Sequence, residues 1–343
     1  MASDDQNAEL YPLRFKPVYR DYIWGGQRIV QVFRRDAPPG IYAESWELSS
    51  RPEGMSVAEN GPWAGQPLSK IVAALGPRLL GAGTPKAPTD FPLLIKLIDA
   101  RERLSVQVHP DETAAAEGGG EAKTEMWYVL ETAPNARVFA GLMPGTDRKA
   151  FEAALRSGTI RNLLQTVPVA PGDAVFVPGG RVHAIDAGCL LLEVQQNSNT
   201  TYRIHDWGRV GHDGRPRQTH LDQALRAIRW SDSAPVKLTP RPLPCASPTV
   251  REEMLCCPFF RVERWRLRTP VSLRPDGESF AVVFVAEGAV AAQWAHGMET
   301  YRSGTTVLVP AALPFLTLRP AESGATLIMI QRPANPTQSA GPA

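Results

Sequence analysis

Four side chains able to hold a metal ion stand in alternating stretches of this 343-residue chain: Gln107, His109, Glu125 and His183. In Leu104-Ser105-Val106-Gln107-Val108-His109-Pro110 apolar and polar residues alternate, the period of a strand with one apolar and one polar face. Ser105, Gln107 and His109 therefore point the same way. In Lys123-Thr124-Glu125-Met126-Trp127-Tyr128-Val129-Leu130 the same parity puts Lys123, Glu125 and Trp127 on one face. Two imidazoles and a carboxylate suit a catalytic zinc site, which keeps a position open for water or substrate. Gln107 adds a neutral oxygen, and ligand type alone leaves iron or manganese in play. A barrel brings distant strands together, so these residues predict a metal site inside a β-barrel.

Further chemistry-bearing residues lie on the strands that would position the site. Phe91 to Asp99 is a nearly continuous apolar run, as in a strand buried on both faces, and Lys96 in its middle requires an anionic partner. Glu44 shares a face with Trp46, Glu193 with Gln195, and Arg203 with Thr201 and His205. Other strands are read at Leu13–Val18 and Pro171–Pro178, with turns at Trp24-Gly25-Gly26 and Asn197-Ser198-Asn199. Helical spacing marks 68–80, broken near Gly76-Pro77, then 147–165 with a break at Ser157-Gly158, and 219–230. The Gly- and Ala-rich stretch 112–121 reads as a loop, as does 81–90. Trp24, Trp46 and Trp127 suit either a sugar pocket or the core. His205, His212, His220 and His296 have no partner in any motif and read as surface or packing residues.

From Phe259 to Gln331 the chain is strand-like and carries a faded repeat of its first part. Gly172-x5-Pro178 recurs as Gly304-x5-Pro310, with Phe315 at the offset of His183. Aligning Glu131 with Glu287 sets Ala281 opposite Glu125. The framework repeats and the metal-type residues do not. The expectation is mainly β: two β-barrels with a few short helices. Residues 10–240 would form the catalytic unit with helical insertions, 235–248 a Pro-rich link, 249–332 a metal-free second barrel, and 333–343 a flexible tail, with residues 1–10 frayed. The second barrel is expected to cover an open sheet edge of the first.

The totals agree with such a chain. The hydrophobic share is 43% and the charged share 21%, as in ordinary globular proteins, and 32 Pro with 28 Gly favour turns over long helices. A formal charge of +2 argues against a general polyanion binder such as a nucleic-acid protein, while local basic residues can hold a small anion. Cys189, Cys245, Cys256 and Cys257 form no CxxC pair and read as free thiols of a reducing compartment. The acidic start lacks the order of a signal peptide, and no apolar stretch approaches the ~20 residues of a membrane helix. A cytoplasmic protein without membrane contact is expected.

Gly172-x5-Pro178-x-Gly180-x2-His183 resembles the second motif of the cupin superfamily, with Ala187 where that motif usually has Asn, and the resemblance implies that the two barrels are cupin-type jelly rolls. The larger pattern is sharper. Ser105 to Pro110, Lys123-Thr124-Glu125-Met126-Trp127, Val182-His183-Ala184, Glu193-Val194-Gln195-Gln196 and Thr201-Tyr202-Arg203 resemble the type I mannose-6-phosphate isomerases, the short bacterial form above all, over roughly residues 10 to 331. The resemblance implies a zinc-dependent aldose–ketose isomerase acting on mannose 6-phosphate and fructose 6-phosphate. It implies one zinc ion on Gln107, His109, Glu125 and His183, with Gln107 open in the short form. It also implies a catalytic role for Arg203, and puts Ser105, Lys123 and Arg209 near the substrate and its phosphate. Many relatives read Lys-Pro-Glu where this chain has Lys123-Thr124-Glu125, a change that keeps both functional side chains.

The residue types suit a proton moved between C1 and C2 through a cis-enediol. Zinc supplies a Lewis acid, Arg203 a permanent charge with a fork of donors, and Lys123 or Lys96 a proton carrier on oxygen. Glu193 is the first choice for the carbon base and Glu44 the second; a structural partnership of Glu193 with Arg203 or Lys96 competes with that role. Two other functions are compatible with the same residues. One is a metal-bound cupin that senses a sugar phosphate without turning it over. The other is a cupin oxygenase, which more often presents three His with iron.

Overall fold

A computed structural model describes residues 9–84, 88–211, 213–232, 234–246 and 248–333. The first eight residues, His212 and the tail beyond 333 lie outside the described residues. The described chain is mainly β, in three antiparallel sheets with short helices between strands. A six-stranded sheet runs Ala174–Val177, Glu125–Thr132, Cys189–Gln196, Leu93–Ala100, Glu44–Leu48 and Val18–Arg20. A five-stranded sheet runs Tyr202–His205, Val106–Val108, His183–Ile185, Arg137–Leu142 and Leu164–Pro168. The ten-stranded third sheet holds the C-terminal strands together with Leu13–Lys16 and Val57–Ala58, Leu13 pairing with Leu308. No helix among the described residues is long and apolar enough to cross a membrane.

Alternation explains how one sheet serves two cores. Leu93, Ile95, Leu97, Leu190, Leu192 and Val194 pack with Val282, Phe284, Ile328 and Ile330 of the ten-stranded sheet. Their neighbours Ile98 and Leu191 turn the other way, towards Val138, Ala140 and Ile185 of the five-stranded sheet. All of Leu93–Ala100 is buried, so its near-continuous apolar run follows from burial on both faces. The C-terminal part thus covers a face of the six-stranded sheet and not, as expected from the sequence, an open edge. A face offers far more apolar area than an edge, and burying that area drives the packing.

The repeat is visible in the strand registers. Glu125 pairs with Val177, and Ala281 pairs with Val309, the residue at the matching offset in the second Gly-x5-Pro segment. Each long strand also carries an irregularity at the corresponding place, between the partners of Leu190 and Leu191 in one case and between Val285 and Glu287 in the other.

Two local expectations need correction. Glu112–Gly118 is a helix, not a loop: Asp111 caps it by accepting from the Ala114 amide at 2.9 Å, and its alanines favour the helical state. The 147–165 segment ends its α-helix at Arg156; Ile160–Leu163 makes a 3₁₀ turn and Leu164–Pro168 a strand beside Arg137–Leu142. There an edge of the five-stranded sheet recruits the chain, overriding its helical spacing. The 68–80 stretch divides as expected into Leu68–Leu75 and Pro77–Leu80, at Gly76 with φ +49°. The Pro-rich link also forms a strand, Arg241–Leu243, against Val250–Cys256. The four cysteines are free thiols.

Candidate functional site

Two rows of paired residues contribute to the walls of a cavity of about 290 Å³. In the five-stranded sheet His183 pairs with Gln107 and Gln107 with Arg203. Arg203 therefore lies two strand spacings, about 10 Å, from His183. In the six-stranded sheet the row is Trp46, Lys96, Glu193 and Trp127, and Glu125 pairs with Gln195 one step along. The cavity is lined by Glu44, Lys96, Ser105, Gln107, Lys123, Glu193 and Arg203, with Trp24 and Trp127 among its walls.

At one side of this space ligand atoms of His109, Glu125 and His183 lie within 4.8 Å of one another, all three residues buried. Nδ1 of His109 is 2.8 Å from the Thr200 carbonyl, and Nδ1 of His183 is 2.9 Å from the Arg181 carbonyl. A carbonyl only accepts, so both rings carry their proton on Nδ1 and present a lone pair on Nε2. Burial, then the charge of Lys123, pushes His109 down to about 3. Burial likewise lowers His183. Burial opposes ionisation of Glu125, yet Lys123 and the two imidazoles hold it well below the usual carboxylate range. Both Glu125 oxygens are buried without a hydrogen bond; charge balances them, Lys123 Nζ lying 2.8 Å from Oε2. The same ammonium donates to His109 Nε2 at 3.1 Å, so positive charge already sits where these lone pairs converge. Two neutral imidazoles and one carboxylate, preset by backbone acceptors, fit a divalent cation of the zinc type.

Gln107 is placed differently from the other three. Its amide nitrogen is 3.1 Å from His183 Nε2, and its oxygen accepts from Ser105 Oγ at 3.3 Å. Only rotation of the amide would turn the oxygen towards the cluster.

Beside the cluster lies a buried charge group. Lys96 Nζ is 3.6 Å from Glu44 and 3.5 Å from Glu193, the anionic partners its position demanded. Burial disfavours its charge, but the two carboxylates, with Glu125 behind them, keep its pKa above the ordinary value. Glu193 is pushed up, first by burial and then by the charge of Glu125. Its Oε2 accepts from Trp127 Nε1 at 3.0 Å, as Glu44 Oε2 does from Trp46 Nε1 at 2.7 Å. Trp46 thus positions Glu44 from behind and does not line the cavity.

The family model for the catalytic domain of type I phosphomannose isomerase matches residues 12–137. The mannose-6-phosphate isomerase of Streptococcus mutans serotype c is 34% identical over 305 residues, 87% of this chain and 92% of its own length. The chain belongs to the mannose-6-phosphate isomerase family. ManA of Bacillus subtilis is also 34% identical, across 88% of this chain and 94% of its own. The crystal structure of a mannose 6-phosphate isomerase from Bacillus subtilis superposes with a TM-score of 0.85 at 29% identity, covering 93% of this chain and 99% of that one.

As an isomerase of this family the chain gathers the expected residues at one cavity: Glu44, Lys96, Ser105, Gln107, Lys123, Glu193 and Arg203 line it, and the buried cluster touches it through Gln107 and Lys123. Arg209 does not line it. Its Nη2 is 2.6 Å from Asp206 Oδ1, its Nε donates to the Asp206 carbonyl at 3.3 Å, and its Nη1 donates to the Arg103 carbonyl. Arg217 lines the cavity instead, with Tyr22, Asn199 and Thr201; of these only Thr201 shares a predicted strand face with a site residue, Arg203. Arg217 belongs to no alternating stretch, so strand parity carried no signal for it. The Thr200 and Arg181 carbonyls that orient the imidazoles leave no trace in side-chain identity either. His220 accepts the Arg203 amide at 3.2 Å and His205 packs on Trp207, both outside the cluster.

Proposed function

We propose that this cavity interconverts mannose 6-phosphate and fructose 6-phosphate through a cis-enediol, with one zinc ion held by His109, Glu125 and His183. Gln107 would join them with its amide oxygen turned inward. The observation that carries the reading is the convergence of three buried lone-pair donors against Gln107 and Lys123, which line the same cavity as the Glu44–Lys96–Glu193 group. When bound, zinc supplies Lewis acidity for the oxygens on C1 and C2.

The chain's own residues supply the rest. Glu193 takes the proton from one carbon and returns it to the next; burial makes its carboxylate a stronger base, and the Trp127 N–H orients it. Lys96 keeps Glu193 able to ionise, and Glu44 keeps Lys96 charged. Lys123 gives and takes protons at the sugar oxygens, while Ser105 and Arg203 bind the substrate, Arg203 adding fixed positive charge against the enediolate. The indole walls limit water around the exposed carbanionic character. In domain terms we assign the chemistry to residues 10–240. We assign 249–332 to a second, metal-free unit, both of cupin jelly-roll type, with 333–343 as a tail. The partner is a small phosphosugar, with no nucleic acid or membrane, in the cytoplasm.

The test is a coupled assay of zinc-loaded protein with mannose 6-phosphate. Turnover that is lost on chelation and restored by zinc is expected. Tight binding of the sugar phosphate without turnover would overturn the isomerase reading in favour of a sensor.

A further inference from the structure

One end of the cavity carries more positive charge than its acids balance. At the other end Lys96 is matched by Glu44 and Glu193, and Lys123 by Glu125. Around Arg203, however, Asp206 is shared between Arg209, at 2.6 Å, and Arg217, whose Nε lies 2.8 Å from its second oxygen. Arg203 feels the charge of Asp206 but does not pair with it directly. Its Nη1 donates at 2.7 Å to the carbonyl of Gln218, the residue next to Arg217, and its buried Nε has no hydrogen-bond partner. Three guanidiniums thus surround one carboxylate, and two of them, Arg203 and Arg217, line the cavity.

We propose that Arg203 and Arg217 together form the phosphate grip, with Arg217 as the second phosphate-binding residue and Arg209 only a brace behind Asp206. The inference rests on the isomerase reading, because it takes a sugar phosphate to be the substrate. A partly desolvated excess of guanidinium charge is costly without an anion, and the planar fork of Arg matches phosphate oxygens in pairs. The loop is built to return Arg217 to this place. Val210 bridges to Pro216, and Gly211 donates to the Arg215 carbonyl at 2.7 Å, so the chain closes on itself and brings Arg217 back to Asp206. Arg209 ties each of its three nitrogens to Asp206 or Arg103 and does not line the cavity. The grip stands two strand spacings from His183, which sets the phosphate at one end of the sugar and the reacting carbons at the other.

The test compares R217Q, R217K and R209Q in the zinc-loaded full chain. Binding of inorganic phosphate is measured by calorimetry, and KM and kcat are measured with mannose 6-phosphate. Loss of one charged hydrogen-bonding partner should weaken phosphate binding and raise KM by about 10- to 100-fold in R217Q, the loss falling on KM more than on kcat. R217K should recover part of it, and R209Q should change phosphate affinity far less. Wild-type phosphate affinity and KM in R217Q, or an equal loss in R209Q, would overturn the proposal. If the wild type binds phosphate through Arg217 but turns nothing over, the isomerase reading falls and the anion grip stands. If it turns over and R217Q binds phosphate normally, only the grip falls.

Discussion

Replacing Lys96 by Met removes the cation that two buried carboxylates share while keeping an unbranched apolar side chain in its place. Each ion pair, at 3.5–3.6 Å, is worth about 5 kcal/mol at an effective dielectric constant of about 20, before the desolvation of the ammonium is set against it. Breaking a buried pair so that charge is left uncompensated costs about 3–5 kcal/mol net. The expected loss at pH 8 is therefore about 3 kcal/mol or more. Its pH dependence identifies the cause. Burial and Glu125 already hold the Glu193 carboxyl above its ordinary value, and loss of Lys96 raises it further. A carboxyl whose folded pKa exceeds its unfolded one destabilises the fold above the folded pKa, and the penalty fades as pH falls towards the unfolded value near 4.3. Urea unfolding of wild type and K96M at pH 8 and pH 5.5 should show the larger difference at pH 8. The acid limb of kcat should move to higher pH, because a base that ionises later works later. A stability difference equal at both pH values, with an unmoved acid limb, would refute both the shared-charge argument and the role given to Glu193.

The remaining expectations concern the metal, the imidazoles and the interface between sheets. H183A and E125Q should lose zinc by metal analysis, whereas R203A should keep zinc and lose activity; wild-type zinc content in both ligand variants would refute the site. Both cluster histidines are buried neutral with lowered pKa values, so below pH ~6.5 the unfolded chain takes up protons that the fold refuses. Chelator-treated protein should therefore lose stability as pH falls from 7 to 5, by up to ~1.4 kcal/mol per pH unit for each imidazole, read from urea midpoints. Phe284 packs edge-on against Phe33 within the core shared by the six- and ten-stranded sheets. F284A should cost about 3–5 kcal/mol and lower a single unfolding transition; a second transition left at the wild-type midpoint would show that the two parts unfold separately.

Much of the site was legible because strand parity is a local property. Ser105 with Gln107, and Glu193 with Gln195, could be assigned to shared faces from period 2 alone, and Lys96 announced its partners by being charged within an apolar run. The same rule aligned Glu125 with Ala281 to the residue, since register propagates along a strand without further information. Local pattern misled where a neighbour competed for the chain: Leu164–Pro168 gave up helical spacing to pair with Arg137–Leu142. It also misled at Glu112–Gly118, where glycines masked a capped run of alanines.

By itself the sequence determined which residues face inward, that two imidazoles and a carboxylate share those faces, and that the C-terminal repeat lacks them. Only the tertiary structure decided what those residues meet. Which carbonyls lock the imidazole tautomers, which sheet face the C-terminal part covers, and whether Arg209 or Arg217 reaches the cavity all depend on contacts between segments remote in the chain. Side-chain parity repeats every two residues and can be read locally. The path of a loop and the acid that captures its arginine follow from the whole fold, and here Asp206 holds Arg209 away from the cavity and Arg217 within it.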